Sequence, residues 1–185
     1  TPVFEAQLKL IQERGYKVIP LAALVAALGD SDAPLPERAV VLTADDGHRT
    51  VYSDMFPLIQ RLKIPVTLFI YPSAISNADY AMTWAQLAEM KASGLVDIQS
   101  HTFWHPNFNV EKKRLAPAAY EKFTQDQLLK SKAVLEQRFA GFGASGRNGG
   151  WLTNSVTGGR ARYGRESGSA QQLGLMVGLV GVLMI

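Results

Sequence analysis

The chain has 185 residues, 47% hydrophobic and 19% charged, which fits a globular domain with a buried core and excludes a disordered, collagenous or long coiled-coil protein. Lysine and arginine number 19 against 16 acidic residues, and a net charge of +3 without any dense basic run argues against nucleic acid as a partner. Cysteine is absent, so disulfides, thiolate metal sites and cysteine nucleophiles are ruled out.

Phe4, Leu8, Leu10 and Ile11 recur at helical spacing over residues 4–13, with Gly15 as the stop. Residues 16–19 read as a short strand. Residues 20–28 read as a second helix, opened by Pro20 and closed before Gly29. Residues 30–38, with two prolines and two aspartates, read as a loop. Residues 39–43 form a continuous apolar run, the pattern of a strand buried on both faces. Asp45, Asp46 and Gly47 form a turn directly after it. Residues 51–62 predict a helix with Met55, Leu58, Ile59 and Leu62 on one face, broken at Ile64 and Pro65. A second buried strand is expected at Val66–Ile70, a helix at 84–90 ending near Gly94, and a third strand at Val96–Ser100. Residues 122–139 predict a long helix with Leu128, Leu129, Val134 and Leu135 as its apolar side.

Strands alternating with helices predict an α/β fold built on a parallel sheet or barrel, with functional groups where strands end. Residues 140–172 differ: glycines crowd together with serine, asparagine and arginine, as in a long loop. The chain therefore divides into a core over 1–139 and an atypical segment over 140–185. The apolar run at 173–185 falls short of the ~20 residues of a membrane span and reads as a buried strand. Left exposed, it would promote an oligomer. The N-terminus carries no signal-peptide pattern.

Two polar clusters carry the chemistry. The first is Thr43-Ala44-Asp45-Asp46-Gly47-His48, where adjacent carboxylates at a strand end can divide their tasks: one binds a cation, the other accepts a proton. Asp-Gly pairs also simply form turns. The second is His101-Thr102-Phe103-Trp104-His105-Pro106, whose i, i+4 histidines can share one side of a turn and suit a divalent metal. They can equally be loop residues beside an aromatic pair. Both clusters directly follow predicted buried strands, which puts them at one end of a parallel sheet, and they hold all three histidines. Two histidines and a carboxylate form a common ligand set, and a second carboxylate supplies the base for metal-assisted hydrolysis. An aspartate-nucleophile phosphohydrolase would want carboxylates two residues apart, and here they are adjacent.

These residues resemble the polysaccharide deacetylases, the fourth family of carbohydrate esterases. That family's Thr-Phe-Asp-Asp-Gly is matched by Thr43-Ala44-Asp45-Asp46-Gly47, and its His-Ser/Thr-x-x-His by His101-Thr102-Phe103-Trp104-His105. The likeness runs over residues 3–139, and the opening around Phe4 and the Leu35-Pro36 lead-in look most like the branch acting on poly-β-1,6-N-acetylglucosamine. It implies a distorted, incomplete (β/α) barrel with fewer than eight strands. It also implies a divalent metal, zinc most often, held by Asp46, His101 and His105, with Asp45 as the general base acting on the attacking water. The implied reaction removes N-acetyl groups from an N-acetylglucosamine polysaccharide, in the periplasm, at the cell surface or outside the cell.

The family's Arg-x-Pro-Tyr motif finds its best counterpart in Arg160-Ala161-Arg162-Tyr163, with Arg162 in place of proline. Tyr163 would then serve the oxyanion through its backbone N–H, and Arg160 would line the substrate groove. Trp84, Phe103 and Trp104 are candidates for stacking on sugar rings, Trp104 foremost. The family's later aspartate and Leu-x-His motifs have no counterpart, which raises the alternative of a non-catalytic carbohydrate-binding relative.

Overall fold

In the computed structural model, residues 2–29 and 34–139 are described. Helix α1 (Pro2–Glu13) buries Phe4 and Leu8 and ends at Gly15, whose φ of 72° closes the turn. Strand β1 (Lys17–Val18), helix α2 (Leu21–Gly29) and strand β2 (Ala39–Val40) follow, with β1 and β2 paired in parallel. Strand β3 (Thr43–Asp45) begins a second sheet, continued by β4 (Val66–Ile70) and β5 (Val96–Ser100) in the order β3-β4-β5, again parallel.

The apolar run at 39–43 is therefore not one strand. Val40 C=O accepts from Ile19 N–H at 2.9 Å, and Leu42 C=O accepts from Thr67 N–H at 3.0 Å. The run passes from one sheet to the other, and only Leu42 within it is buried. Hydropathy cannot show such a change of partner, because both halves are equally apolar. Among the described residues five strands lie in two parallel sheets, as an α/β fold built on parallel strands requires.

The second sheet carries the core. Ile70 and Ile98 are fully shielded and Leu68 is 1% exposed, packed with Ile59, Ile75, Met82, Leu87, Met90 and Leu135. Helix α3 (Phe56–Leu62) is entered through a π-helical segment at Val51–Met55. The wider turn shifts the apolar stripe, so Met55, Phe56, Leu58 and Ile59 are buried while Leu62 faces outward, contrary to its expected place on that face. Helix α4 (Trp84–Ala92) starts from a capping box between Thr83 and Gln86, and Gly94 lies beyond its end at φ 72°.

Helix α5 (Phe108–Arg114) was not expected from apolar spacing. It forms because the Asn107 side chain accepts from the N–H groups of Asn109 and Val110 at 3.1 and 3.2 Å. Helix α6 (Pro117–Arg138) starts earlier than its apolar pattern suggests, with proline in the first turn. Its buried face is Gln127, Ser131 and Leu135, four residues apart, whereas Leu129 is 63% exposed. Two of those three side chains are polar because they face the loop after β5 rather than the apolar core. The atypical segment 140–185 lies outside the described residues, as do Arg160, Tyr163 and the apolar run at 173–185. Among the described residues no helix is long and apolar enough to cross a membrane.

Candidate metal centre

Sheet register brings the two clusters together. Asp45 is level with Phe69 and Gln99, and Ile70 is level with Ser100, so Asp46, Tyr71 and His101 all leave the sheet at the same end. The ladder extends one residue to hold both ligand candidates: Asp46 N–H donates to Phe69 C=O at 2.9 Å and His101 N–H to Ile70 C=O at 2.8 Å.

The aspartate turn needs backbone that few residues adopt. Asp46 has φ 70° and Gly47 φ 75°. A Cβ at Gly47 would stand 3.0 Å from Ile75 Cδ1 and 3.2 Å from Ile70 Cγ2, so crowding adds to the preference for glycine that the conformation sets. The histidine loop is strained too, with Thr102 at φ 69° and His105 at φ 59°. Polar side chains hold it. Thr102 N–H donates to Ser100 Oγ at 3.3 Å, Ser100 Oγ donates to Ser131 Oγ at 2.7 Å, and Trp104 N–H donates to Gln127 Oε1 at 3.2 Å. His105 N–H donates to Thr102 Oγ1 at 3.1 Å.

Asp46, His101 and His105 converge, their ligand atoms all within 4.8 Å of one another. Both imidazole Nε2 atoms face one oxygen, Asp46 Oδ1, at 3.6 Å for His101 and 3.9 Å for His105. Those separations are too long for hydrogen bonds, and they suit donors that each stand about 2 Å from one shared ion. Asp46 Oδ1 is shielded from solvent and has no hydrogen-bond partner, the signature of an acceptor kept for a cation. Burial pushes the His101 imidazole below its usual range. His105 adds to this and the Asp45 and Asp46 carboxylates oppose it. A neutral imidazole is the form that ligates metal. The residues present therefore fit a divalent cation.

Asp45, at the end of β3, is exposed and acts electrostatically on His101, so its carboxylate lies beside the cluster without belonging to it. Trp104 is 45% exposed, with its ring edge-on to Phe123. Trp84 instead packs against the core and Phe139, and Lys130 Nζ sits 3.9 Å above the Phe103 ring. His48 stands apart from the metal cluster: its Nδ1 accepts from Thr50 N–H at 3.2 Å and its ring stacks on Tyr80. Apolar patterning gave no hint of Tyr71, Tyr80, Gln127 or Ser131. Tyr71 does follow β4 directly, the same strand-end position that marks Asp46 and His101. Burial and the hydroxyl of Tyr80 hold the Tyr71 phenol above its usual range.

Comparison with known proteins shows what the chain is similar to. A poly-β-1,6-N-acetyl-D-glucosamine N-deacetylase of Escherichia coli is 30% identical over 125 residues, covering 60% of this chain and 18% of that protein. An enzyme of the same name from Staphylococcus aureus is 26% identical over 140 residues, 74% of this chain and 48% of that one. The chain thus spans less than half the length of these curated relatives. Among solved structures, IcaB from Ammonifex degensii superposes with a TM-score of 0.63 at 24% identity, covering 74% of this chain and 60% of that one. The BpsB deacetylase domain from Bordetella bronchiseptica gives 0.62 at 21% identity, covering 72% and 63%. These likenesses show a shared fold. The sequence model of the family described as polysaccharide deacetylase matches residues 32–144, well over half of the chain, and the chain belongs to that family.

Proposed function

We propose that this protein is a metal-dependent N-deacetylase acting on an N-acetylglucosamine polymer, with zinc as its ion. The observation that carries the reading is the shielded, unpartnered Asp46 Oδ1 facing two imidazole nitrogens, with the Asp45 carboxylate beside them. Asp46, His101 and His105 would hold the ion. A divalent cation supplies Lewis acidity there, making water easier to deprotonate and an amide carbonyl easier to attack.

The chain's own residues do the rest. Asp45, exposed and outside the ligand set, takes the proton from the attacking water. His101, kept neutral by burial, holds its lone pair for the ion instead of binding that proton. Trp104, exposed within the histidine loop, offers a flat apolar face to a sugar ring. Arg160 and Tyr163 are assigned by motif likeness to the groove and to the oxyanion. The deacetylase unit spans 1–139, and the work is placed in the periplasm, at the cell surface or outside the cell, where such polymers lie. The poly-β-1,6 linkage follows the names of the relatives.

Elemental analysis coupled to acetate release from partly acetylated poly-N-acetylglucosamine tests the reading. Expected are about one zinc per chain, its loss in His101→Ala, and in Asp45→Asn a retained ion with turnover reduced about 100- to 10,000-fold. A wild type that takes up no ion from added zinc overturns it. Glycan binding with zinc present and no acetate released would instead establish the non-catalytic relative.

A further inference from the structure

A ligand histidine ordinarily has its second ring nitrogen held by a carboxylate or a carbonyl, which fixes the plane of the ring. His105 lacks that device: among the described residues no protein group hydrogen-bonds its ring, and only its backbone N–H is tied, to Thr102 Oγ1. Its side chain is 51% exposed and its backbone lies in the left-handed region. An imidazole in that position can turn about its last bond and take Nε2 away from Asp46.

Two rings flank His105: His101, whose centroid is 4.6 Å away and tilted by 32°, and Tyr71, which lies more nearly parallel. The Tyr71 ring stacks on His105 with centroids 5.4 Å apart and planes 22° from parallel. Stacking restrains the ring without occupying either nitrogen, so the ligand lone pair stays free. Tyr71 is itself fixed at its far end, where its hydroxyl hydrogen-bonds the hydroxyl of Tyr80. Tyr80 stacks on His48 at 6.2 Å and 11°, and His48 Nδ1 is held by the N–H and hydroxyl of Thr50. The backbone of residues 71–82 is tied at both ends. Ser73 N–H donates to Phe103 C=O in the histidine loop at 3.0 Å. Met82 N–H donates to Gly47 C=O at 2.9 Å, and Arg49 N–H to Tyr80 C=O at 2.7 Å, both at the aspartate turn.

We propose that Tyr71 is a positioning residue for His105, anchored by Tyr80, and that residues 71–82 thereby set the spacing between the histidine loop and the aspartate turn. The proposal rests on the metal-centre reading above. It gives the third histidine a role as well: His48 is the footing of the aromatic chain, not a ligand.

Two measurements on the full chain test it. In the metal-free protein, proton NMR of the imidazoles reads the stack through the ring-current shift of His105. In the zinc-loaded protein, competition with a chelating dye reads affinity. Tyr71→Phe keeps the ring and is expected to keep the shift, with affinity within about twofold of wild type. Tyr71→Leu is expected to lose the shift and to bind zinc about tenfold more weakly, the usual scale for losing a group that orients a ligand. Tyr80→Phe should fall between them.

Unchanged affinity in a folded Tyr71→Leu overturns the proposal, as does a Tyr71→Phe as damaged as Tyr71→Leu. Should Tyr71→Leu not fold, the wild-type spectrum decides, because His105 ring protons within the free imidazole range overturn the stack directly. A wild type that binds no zinc overturns the metal-centre reading and this one with it. Equal binding by wild type and Tyr71→Leu overturns this one alone.

Discussion

The aspartate turn and the histidine loop bring the proposed ligands to one point by opposite means. The turn is fixed by packing and by its left-handed backbone, since a methyl group at Gly47 would push aside the fully buried Ile70 and Ile75. The loop is fixed by hydrogen bonds, with Ser131 and Gln127 reaching it from α6. The difference teaches where each half is vulnerable. A steric constraint fails when volume is added, and a polar one fails when an acceptor is removed. It also explains why the two halves depend on such distant parts of the chain.

The turn should give the largest response. Gly47→Ala combines a left-handed Cβ with overpacking, and is expected to cost about 3 kcal/mol in urea unfolding. A loss under about 0.5 kcal/mol, the range of an ordinary surface change, would show that packing does not set the turn. Gln127→Ala comes next. It strips the Trp104 N–H of its acceptor and should cost about 1–2 kcal/mol, with zinc affinity lowered because the loop slackens. If affinity stayed at the wild-type value, α6 would be a neighbour of the loop and not its support. Ser131→Ala should cost about 1 kcal/mol, since Ser100 Oγ can still accept from Thr102 after losing its own acceptor. The urea midpoint, measured beside Gln127→Ala, ranks the two polar supports.

The smallest effect is set by pH. Burial lowers the folded pKa of His101 below its ordinary 6.5, so the unfolded chain binds the proton more readily. The stability His101 contributes is present above about pH 6.5 and is lost as pH falls through its folded pKa. In metal-free protein the urea midpoint should therefore drop further between pH 7.5 and pH 5 in wild type than in His101→Gln. Parallel profiles would mean that burial does not act on His101 as the geometry implies.

Patterning located β4 and β5 to the residue: β4, buried almost throughout, reads as a nearly continuous apolar run, whereas β5 alternates Val96 and Ile98 with polar residues. It also put Asp46 and His101 at one end of the sheet, which follows from parallel pairing alone. It joined residues 39–43 into one strand, because a change of hydrogen-bond partner leaves no mark in hydropathy. Helix α5 escaped because a side-chain cap starts it and no apolar stripe does. Leu129 and Leu62 looked like core residues. One lies on a helix whose buried face is polar for the sake of the loop, and the other follows a π-helical turn that shifts the phase. The supports of the site, Gln127, Ser131 and Tyr71, were invisible for a common reason: each acts through a contact between elements far apart in sequence.

The order β3-β4-β5 pairs Thr43 with Thr67 and Val66 with Val96, so each strand of this sheet joins the one that precedes it in the chain. Such a sheet can grow by addition as the polypeptide leaves the ribosome, with no strand inserted late between two others. The carboxylate half of the centre would then take shape while the imidazole half is still being synthesised. During that interval the nascent protein displays an open edge at β4 and carboxylates with no histidines opposite them. A pulse of zinc given to stalled chains of increasing length should be retained only once β5, the loop after it and α6 have emerged.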